Sequence, residues 1–213
     1  MDLDRDGAEH IPAAFAGDEI DALRAHLARH RASARLKPGA GLAALIGPAD
    51  AVAAGRLPGA RAVFARYFDK SRDSNWSLGW HQDRTVALKE RREATGFTAW
   101  TVKSGLVHAT PPFCFLERML VLRLHLDSTG EAAAPLLIAP RSHRLGAVAE
   151  AEIDAIVQRC GSHACLAAAG DVWAYWAPIL HASAPMRVPG RRRILQLAYS
   201  DSELPPGLAW LGV

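Results

Sequence analysis

His81 and Asp83 are separated by a single residue in "NWSLGWHQDRTVAL", residues 75–88. Imidazole and carboxylate are both good ligands for a divalent metal. Alternate side chains of an extended strand share a face. A strand here would present both groups together and turn Gln82 the other way. Gln82 is then either a contact to whatever the pair binds or a hydrogen bond in the wall behind it. A metal held for chemistry needs a third protein ligand and some open positions.

The chain has nine histidines. His26 and His30 are four apart, but no carboxylate motif accompanies them. They read as solvated residues of an amphipathic helix. His10 and His163 have no supporting context. His181 directly follows the apolar and aromatic run "DVWAYWAPIL", and Arg192 comes eleven residues after it. In the expected strand "RRILQLAY", Arg192 shares a face with Gln196. His81, Asp83 and His181 make two histidines and one carboxylate, the facial set of non-haem iron(II) oxygenases, with an open face for an organic co-substrate and dioxygen. An arginine is always charged and can pair with a carboxylate through two parallel hydrogen bonds. Arg192 therefore suits a dicarboxylate such as 2-oxoglutarate. Cys160, His163 and Cys165 lack a fourth ligand and read as structural thiols and a bystander rather than a zinc site.

These groups need elements to place them. Asp18 precedes "EIDALRAHLARHR", whose Ile20, Leu23 and Leu27 follow helical spacing. "GARAVFARYF" reads as a second helix, with Val63, Phe64, Tyr67 and Phe68 on its apolar side. After residue 75 the pattern turns to strands. In "MLVLRLHLD" (119–127) Leu120, Leu122, Leu124 and Leu126 make one face and Val121, Arg123, His125 and Asp127 the other. Residues 134–140, 171–180 and 191–200 read as further strands, with a helix over 149–160 between them. Residues 98–112 read as a loop, either a lid over the metal strand or a surface loop anchored by Trp100. The expectation is one domain over 1–213, with a mostly helical flank over 1–70 and a barrel over 75–200.

Half the residues are hydrophobic, 22% are charged, and the net charge is +3. That balance gives no electrostatic case for nucleic acid or an anionic membrane. The start "MDLDRDGAEH" is acidic and lacks the pattern of a secretory signal. No stretch approaches the ~20 apolar residues that span a bilayer. Three cysteines without a framework spacing read as reduced thiols, hence a cytoplasmic protein. The composition does not fix an oligomeric state. No phosphate-binding glycine loop, dinucleotide fingerprint or GxSxG element is present.

The sequence resembles the phytanoyl-CoA dioxygenase-like branch of the iron(II)/2-oxoglutarate oxygenases. The likeness runs through "RDGAEHIPAAFAGDEIDALRAHL", "WHQD", "RLHLDSTGEAAAPLLIAPRSHRLG" and "GDVWAYWAPILHASAPMRVPGRRRILQLAYS". The resemblance implies a mainly β fold with flanking helices, a double-stranded β-helix or jelly-roll barrel. It implies that His81, Asp83 and His181 hold iron, that Arg192 pairs with the distal carboxylate of 2-oxoglutarate, and that Ser183 assists. The implied reaction converts 2-oxoglutarate to succinate and carbon dioxide while hydroxylating a small or lipid-like metabolite. The chain departs from the family pattern at Arg141, where a glycine is usual, at Ala132 and Ala133 in place of Asn-Gly, and at Met186 in place of an asparagine. These departures argue against phytanoyl-CoA itself as substrate.

Further contacts are expected from Lys103 and His108 in the 98–112 segment, as substrate contacts or as surface residues. Arg123 and His125, facing one way on their strand, are candidates for the polar lumen. Lys70 is either a contact to an acidic group or a solvated lysine. Two other readings stand beside the dioxygenase: a non-catalytic ligand-binding protein of the same fold, and a cupin-like metalloenzyme that does not use 2-oxoglutarate. Arg192 separates the second of these, since such chemistry needs no dicarboxylate clamp.

Overall fold

The computed structural model describes residues 1–213. Its strands, in chain order, are β1 (Ala8–Ile11), β2 (Ala34–Arg35), β3 (Arg61–Ser71), β4 (Leu78–His81), β5 (Val86–Leu88), β6 (Thr98–Lys103) and β7 (Leu106–Thr110). They continue as β8 (Met119–His125), β9 (Leu136–Ile138), β10 (His163–Cys165), β11 (Val172–Trp176), β12 (His181–Ser183) and β13 (Arg191–Ser200). A six-stranded sheet runs β1-β11-β8-β13-β3-β2, a four-stranded sheet β10-β9-β12-β4, and a three-stranded sheet β5-β7-β6. The two larger sheets face each other. Val121, Trp173, Tyr175 and Ala198 from one pack with Leu136, Ile138 and Cys165 from the other. This is a jelly roll, as expected, but side chains rather than backbone hydrogen bonds join its sheets, so the barrel is not closed.

The alternation of β8 explains the layers. Leu120, Leu122, Leu124 and Leu126 pack under Ile20, Leu23 and Leu27 of the helix Gly17–Leu27 and under Ala49 and Ala53 of the helix Gly47–Ala54. The opposite face of β8 carries Val121, Arg123 and His125 toward the second sheet. The helix Gly17–Leu27 begins where the Glu19 carboxylate accepts the Ala16 N–H at 2.7 Å, and the acidic first turn suits the positive end of the helix dipole.

Three expectations are corrected. The stretch read as a second helix is strand β3, so the helices of the N-terminal flank end at Ala54. Ala65 and Tyr67 pack beneath the helices, while Arg66 and Phe68 face the interior. With both faces covered, the period-2 contrast that marks a strand is weak. Residues 98–112 are chiefly the hairpin β6–β7, turned by Ser104 (φ 54°) and Gly105 (φ 75°). Two successive positive φ values make the mirror-image turn that suits strand twist. The run 171–180 is also not one strand. β11 ends at Trp176, and Pro178, which has no N–H to donate, lies in the turn before β12. The chain thus crosses to the other sheet, and His181 starts a strand there. Arg141 takes a left-handed backbone, φ 70°, which accounts for the family's glycine at that place.

Candidate metal centre and anion pocket

His81 is the last residue of β4 and His181 the first of β12, directly opposite each other in the antiparallel register. Their ring centroids are 4.2 Å apart. Asp83 follows two residues beyond His81, and one ligand atom from each of the three lies within 4.8 Å of the others. Each imidazole is oriented by the same local device. His81 Nδ1 lies 2.8 Å from the Gly79 carbonyl, and His181 Nδ1 lies 3.0 Å from the Ile179 carbonyl. A ring whose Nδ1–H is given to a carbonyl has its Nε2 lone pair free for a metal. Burial pushes the His181 pKa down to about 4, which keeps the ring in its neutral, ligating form.

Gln82 holds this arrangement from behind. Its Nε2 donates to the Gly146 carbonyl at 2.9 Å and the Pro178 carbonyl at 2.7 Å, and its Oε1 accepts the Val148 N–H at 2.9 Å. It therefore ties the His81–Asp83 segment to the turn that leads into His181. The expected contact from Gln82 to the cofactor is corrected, because every polar group of the side chain is engaged on the far side. Ser142 adds a second tie. Its hydroxyl donates to the Ala139 carbonyl at 2.7 Å and accepts the Leu180 N–H at 2.8 Å, next to His181.

The cavity beside the triad brings together Arg66, Arg123, Ser183, Arg192 and Gln196 with apolar Phe68, Trp76, Leu78 and Leu136. Its free volume is only about 40 Å³, because three arginine side chains share it. Arg192 is buried, and one of its terminal nitrogens donates to the Ala134 carbonyl. Lys70 lies opposite Arg192 in the β3–β13 register. It is fully buried, not solvated, and its Nζ donates to Ser183 Oγ at 2.9 Å and to the Ala184 carbonyl at 2.7 Å. Burial, together with Arg192 and Arg123, pushes the Lys70 pKa down to about 7. Burial and the neighbouring Arg123 likewise lower Arg192 to about 9.

Of the other sequence candidates, only Arg123 reaches this cavity. Lys103 reaches Thr85 Oγ1 at 3.5 Å and does not line the wall. His108 is buried beneath the hairpin, with Nδ1 3.0 Å from its neighbour Leu106's carbonyl and its ring edge against Phe64. His125 faces inward as expected but pairs with Thr129 Oγ1 at 2.9 Å, and burial lowers its pKa to about 3. It does not line the cavity. Cys160, His163 and Cys165 form no metal-sized cluster; the triad is the one such group. Arg66 and Lys70 are the residues that sequence reasoning passed over or underrated. Their signal was the alternation Arg66, Phe68, Lys70 on β3, hidden by the helical reading.

The family model for phytanoyl-CoA dioxygenase (PhyH) matches residues 3–194. The chain belongs to the phytanoyl-CoA dioxygenase family. As a member it is an iron(II)/2-oxoglutarate-dependent oxygenase, and the donor set fits that metal: two imidazoles and one carboxylate beside a cationic pocket. Among solved structures, AviO1 from Streptomyces viridochromogenes Tue57 is 18% identical, with a TM-score of 0.66 over 96% of this chain and 94% of its own. HygX from Streptomyces hygroscopicus, solved with nickel and 2-oxoglutarate bound, is 14% identical, with a TM-score of 0.64 over 94% of this chain and 85% of its own. The non-heme alpha ketoglutarate dependent epimerase SnoN from nogalamycin biosynthesis is 15% identical, with a TM-score of 0.67 over 98% and 85%. At these identities the structures attest the shared fold. No curated protein matches the sequence significantly. No helix is long and apolar enough to cross a membrane.

Proposed function

We propose that this family member hydroxylates a small-molecule substrate, with His81, Asp83 and His181 holding iron(II) and Arg192 holding the distal carboxylate of 2-oxoglutarate. The observation that carries the reading is the convergence of three ligand atoms within 4.8 Å while both imidazole Nδ1 atoms are engaged elsewhere. When bound, the metal and co-substrate supply dioxygen activation coupled to decarboxylation of 2-oxoglutarate to succinate and carbon dioxide. The protein's own groups bind and orient. Arg192 Nε is buried without a protein partner, and a buried charged donor without an acceptor is costly. A carboxylate oxygen would satisfy it. Ser183 accepts its hydrogen bond from Lys70, so the hydroxyl hydrogen is free to donate to the same carboxylate. Lys70 keeps one of its three donors for that group as well. Phe68, Trp76 and Leu136 line the cavity and keep water from it. Three free cysteines support a reducing compartment, the cytoplasm.

The test is an anaerobic titration of iron(II)-loaded protein with 2-oxoglutarate, followed by optical absorption. 2-Oxoglutarate bound at an iron(II) held by these residues would give a weak visible charge-transfer band. The expected result is a band in the wild type and its loss at matched ligand concentration in Arg192→Ala. His81→Ala and Asp83→Ala should lose metal binding together with turnover. Metal binding without the band would favour a cupin-like enzyme or a non-catalytic binder. Under turnover, a hydroxylated product must appear in step with succinate; an unhydroxylated oxidised product would reassign the outcome but not the site.

A further inference from the structure

The cavity holds more positive charge than its co-substrate can neutralise. Arg66, Arg123 and Arg192 line it, with Lys70 adjoining, and Asp83 is the one carboxylate on its wall. A divalent metal adds two positive charges, and 2-oxoglutarate removes two. Arg192 and Lys70 lie opposite each other on β13 and β3. Arg66 and Arg123 form a separate row, one on each side of Gln196. The two rows are four residues apart along β13, roughly 13 Å of strand. 2-Oxoglutarate has two carboxylates, and the proposed function gives one to the Arg192 row and the other to the metal side, which leaves none for the Arg66–Arg123 row.

Arg66 and Arg123 are built alike. Each gives one terminal nitrogen to a neutral acceptor: Arg66 Nη2 to Ser33 Oγ at 2.8 Å, and Arg123 Nη1 to Gln196 Oε1 at 2.9 Å. Each has a buried Nε with no partner. Both guanidinium carbons lie against the Phe68 ring, at 4.5 and 5.2 Å from its centre. Arg123 is 5% exposed. Two guanidinium groups on one ring repel each other, and the cation–π contacts offset this only in part. An oxyanion between them would accept from both unpartnered Nε–H groups and relieve the repulsion.

We infer that Arg66 and Arg123 form a second anion subsite that holds a carboxylate, phosphate or sulfonate group of the substrate to be oxidised. This rests on the 2-oxoglutarate reading of the Arg192 row. The substrate is thus an organic oxyacid, with its charged end against Phe68 and its reacting carbon toward the open face of the triad.

The test uses nickel-loaded protein, which does not turn over, saturated with 2-oxoglutarate. Hexanoate, hexyl phosphate, hexanesulfonate and uncharged hexanol are titrated by calorimetry. At least one oxyanion should bind about tenfold or more tighter than hexanol, and Arg66→Gln and Arg123→Gln should each weaken it about tenfold while 2-oxoglutarate affinity holds. Arg66 is only half-buried, so its variant remains informative if the Arg123 variant misfolds. Equal binding of charged and neutral probes, or no binding of any, overturns the inference. So does a loss of 2-oxoglutarate affinity in Arg66→Gln as large as the loss for the probe, since the pair would then serve the co-substrate. A repeat without 2-oxoglutarate separates the two readings. If 2-oxoglutarate fails to bind but the oxyanion binds through Arg66, the co-substrate assignment falls and the subsite stands.

Discussion

Lys70 links co-substrate binding to pH. Its amine is fully buried against Ser183, the Ala184 carbonyl and the Trp76 ring, and burial with the charges of Arg192 and Arg123 pushes its pKa down to about 7. In the free protein it therefore sheds its proton as pH rises through about 7. A bound dicarboxylate favours the charged amine, so binding above that pH takes up a proton. The affinity for 2-oxoglutarate should fall by up to about tenfold per pH unit upward from neutrality. Calorimetry at pH ~8 in buffers of different ionisation heat would read the proton uptake, and Lys70→Met should abolish it. Flat 2-oxoglutarate affinity across that range would show that the amine does not serve the co-substrate. The stability sign is the same lowered pKa seen from the unfolded side. The unfolded lysine keeps its proton to about 10.4, so the ligand-free protein gains stability as pH rises from 7 toward that value. At this scale the sequence was legible where spacing carries the chemistry. His81 and Asp83 are two apart, and His181 and Arg192 are separated by a fixed interval. Lys70 and Arg66 were illegible because their meaning depends on which way a strand turns them.

Elements set that direction, and β3 shows why some resist reading. Its apolar residues Val63, Phe64, Tyr67 and Phe68 fit one face of a helix by coincidence. A bulge where Ala198 and Tyr199 of β13 meet Phe64 and Ala62 breaks the alternation further. β8 and β13 were legible because leucine alternates with polar residues in one, and both run without interruption. The hairpin β6–β7 had a local signal, the Ser104–Gly105 pair, that the length of the polar stretch obscured. Gln82 was ambiguous in sequence because either face of the expected strand offers partners. Its three bonds now make a prediction. Gln82→Ala leaves the Gly146 and Pro178 carbonyls and the Val148 N–H without partners. The variant should lose roughly 3 kcal/mol of stability in urea unfolding. Because the tie fixes the metal-bearing segments, metal affinity should also drop about tenfold or more. If instead metal affinity and stability hold and only 2-oxoglutarate binding suffers, Gln82 contacts the co-substrate after all.

Across the whole molecule, the two main sheets are unequally supported. The six-stranded sheet has long strands, β3 with 11 residues and β13 with 10, and helices over its outer face. The four-stranded sheet is made of strands of three or four residues. The proposed metal ligands sit on this lighter sheet, with His81 on β4 and His181 on β12. A metal there bridges neighbouring strands and adds cross-links that the unfolded chain lacks. Metal at 100 times its dissociation constant should stabilise the native state by about 2.7 kcal/mol. For a chain of this size that is a rise in melting temperature of roughly 5–10 °C. The gain should be reversed by a chelator and absent in Asp83→Ala. Hydrogen exchange gives the spatial half of the prediction: amides of β4 and β12 should slow on metal binding more than those of β8 and β13, whose opening is already set by the larger core. A thermal shift that survives in Asp83→Ala would mean the metal binds elsewhere. Uniform protection across both sheets would mean that they unfold as one unit, and that the four-stranded sheet is not the element the metal secures.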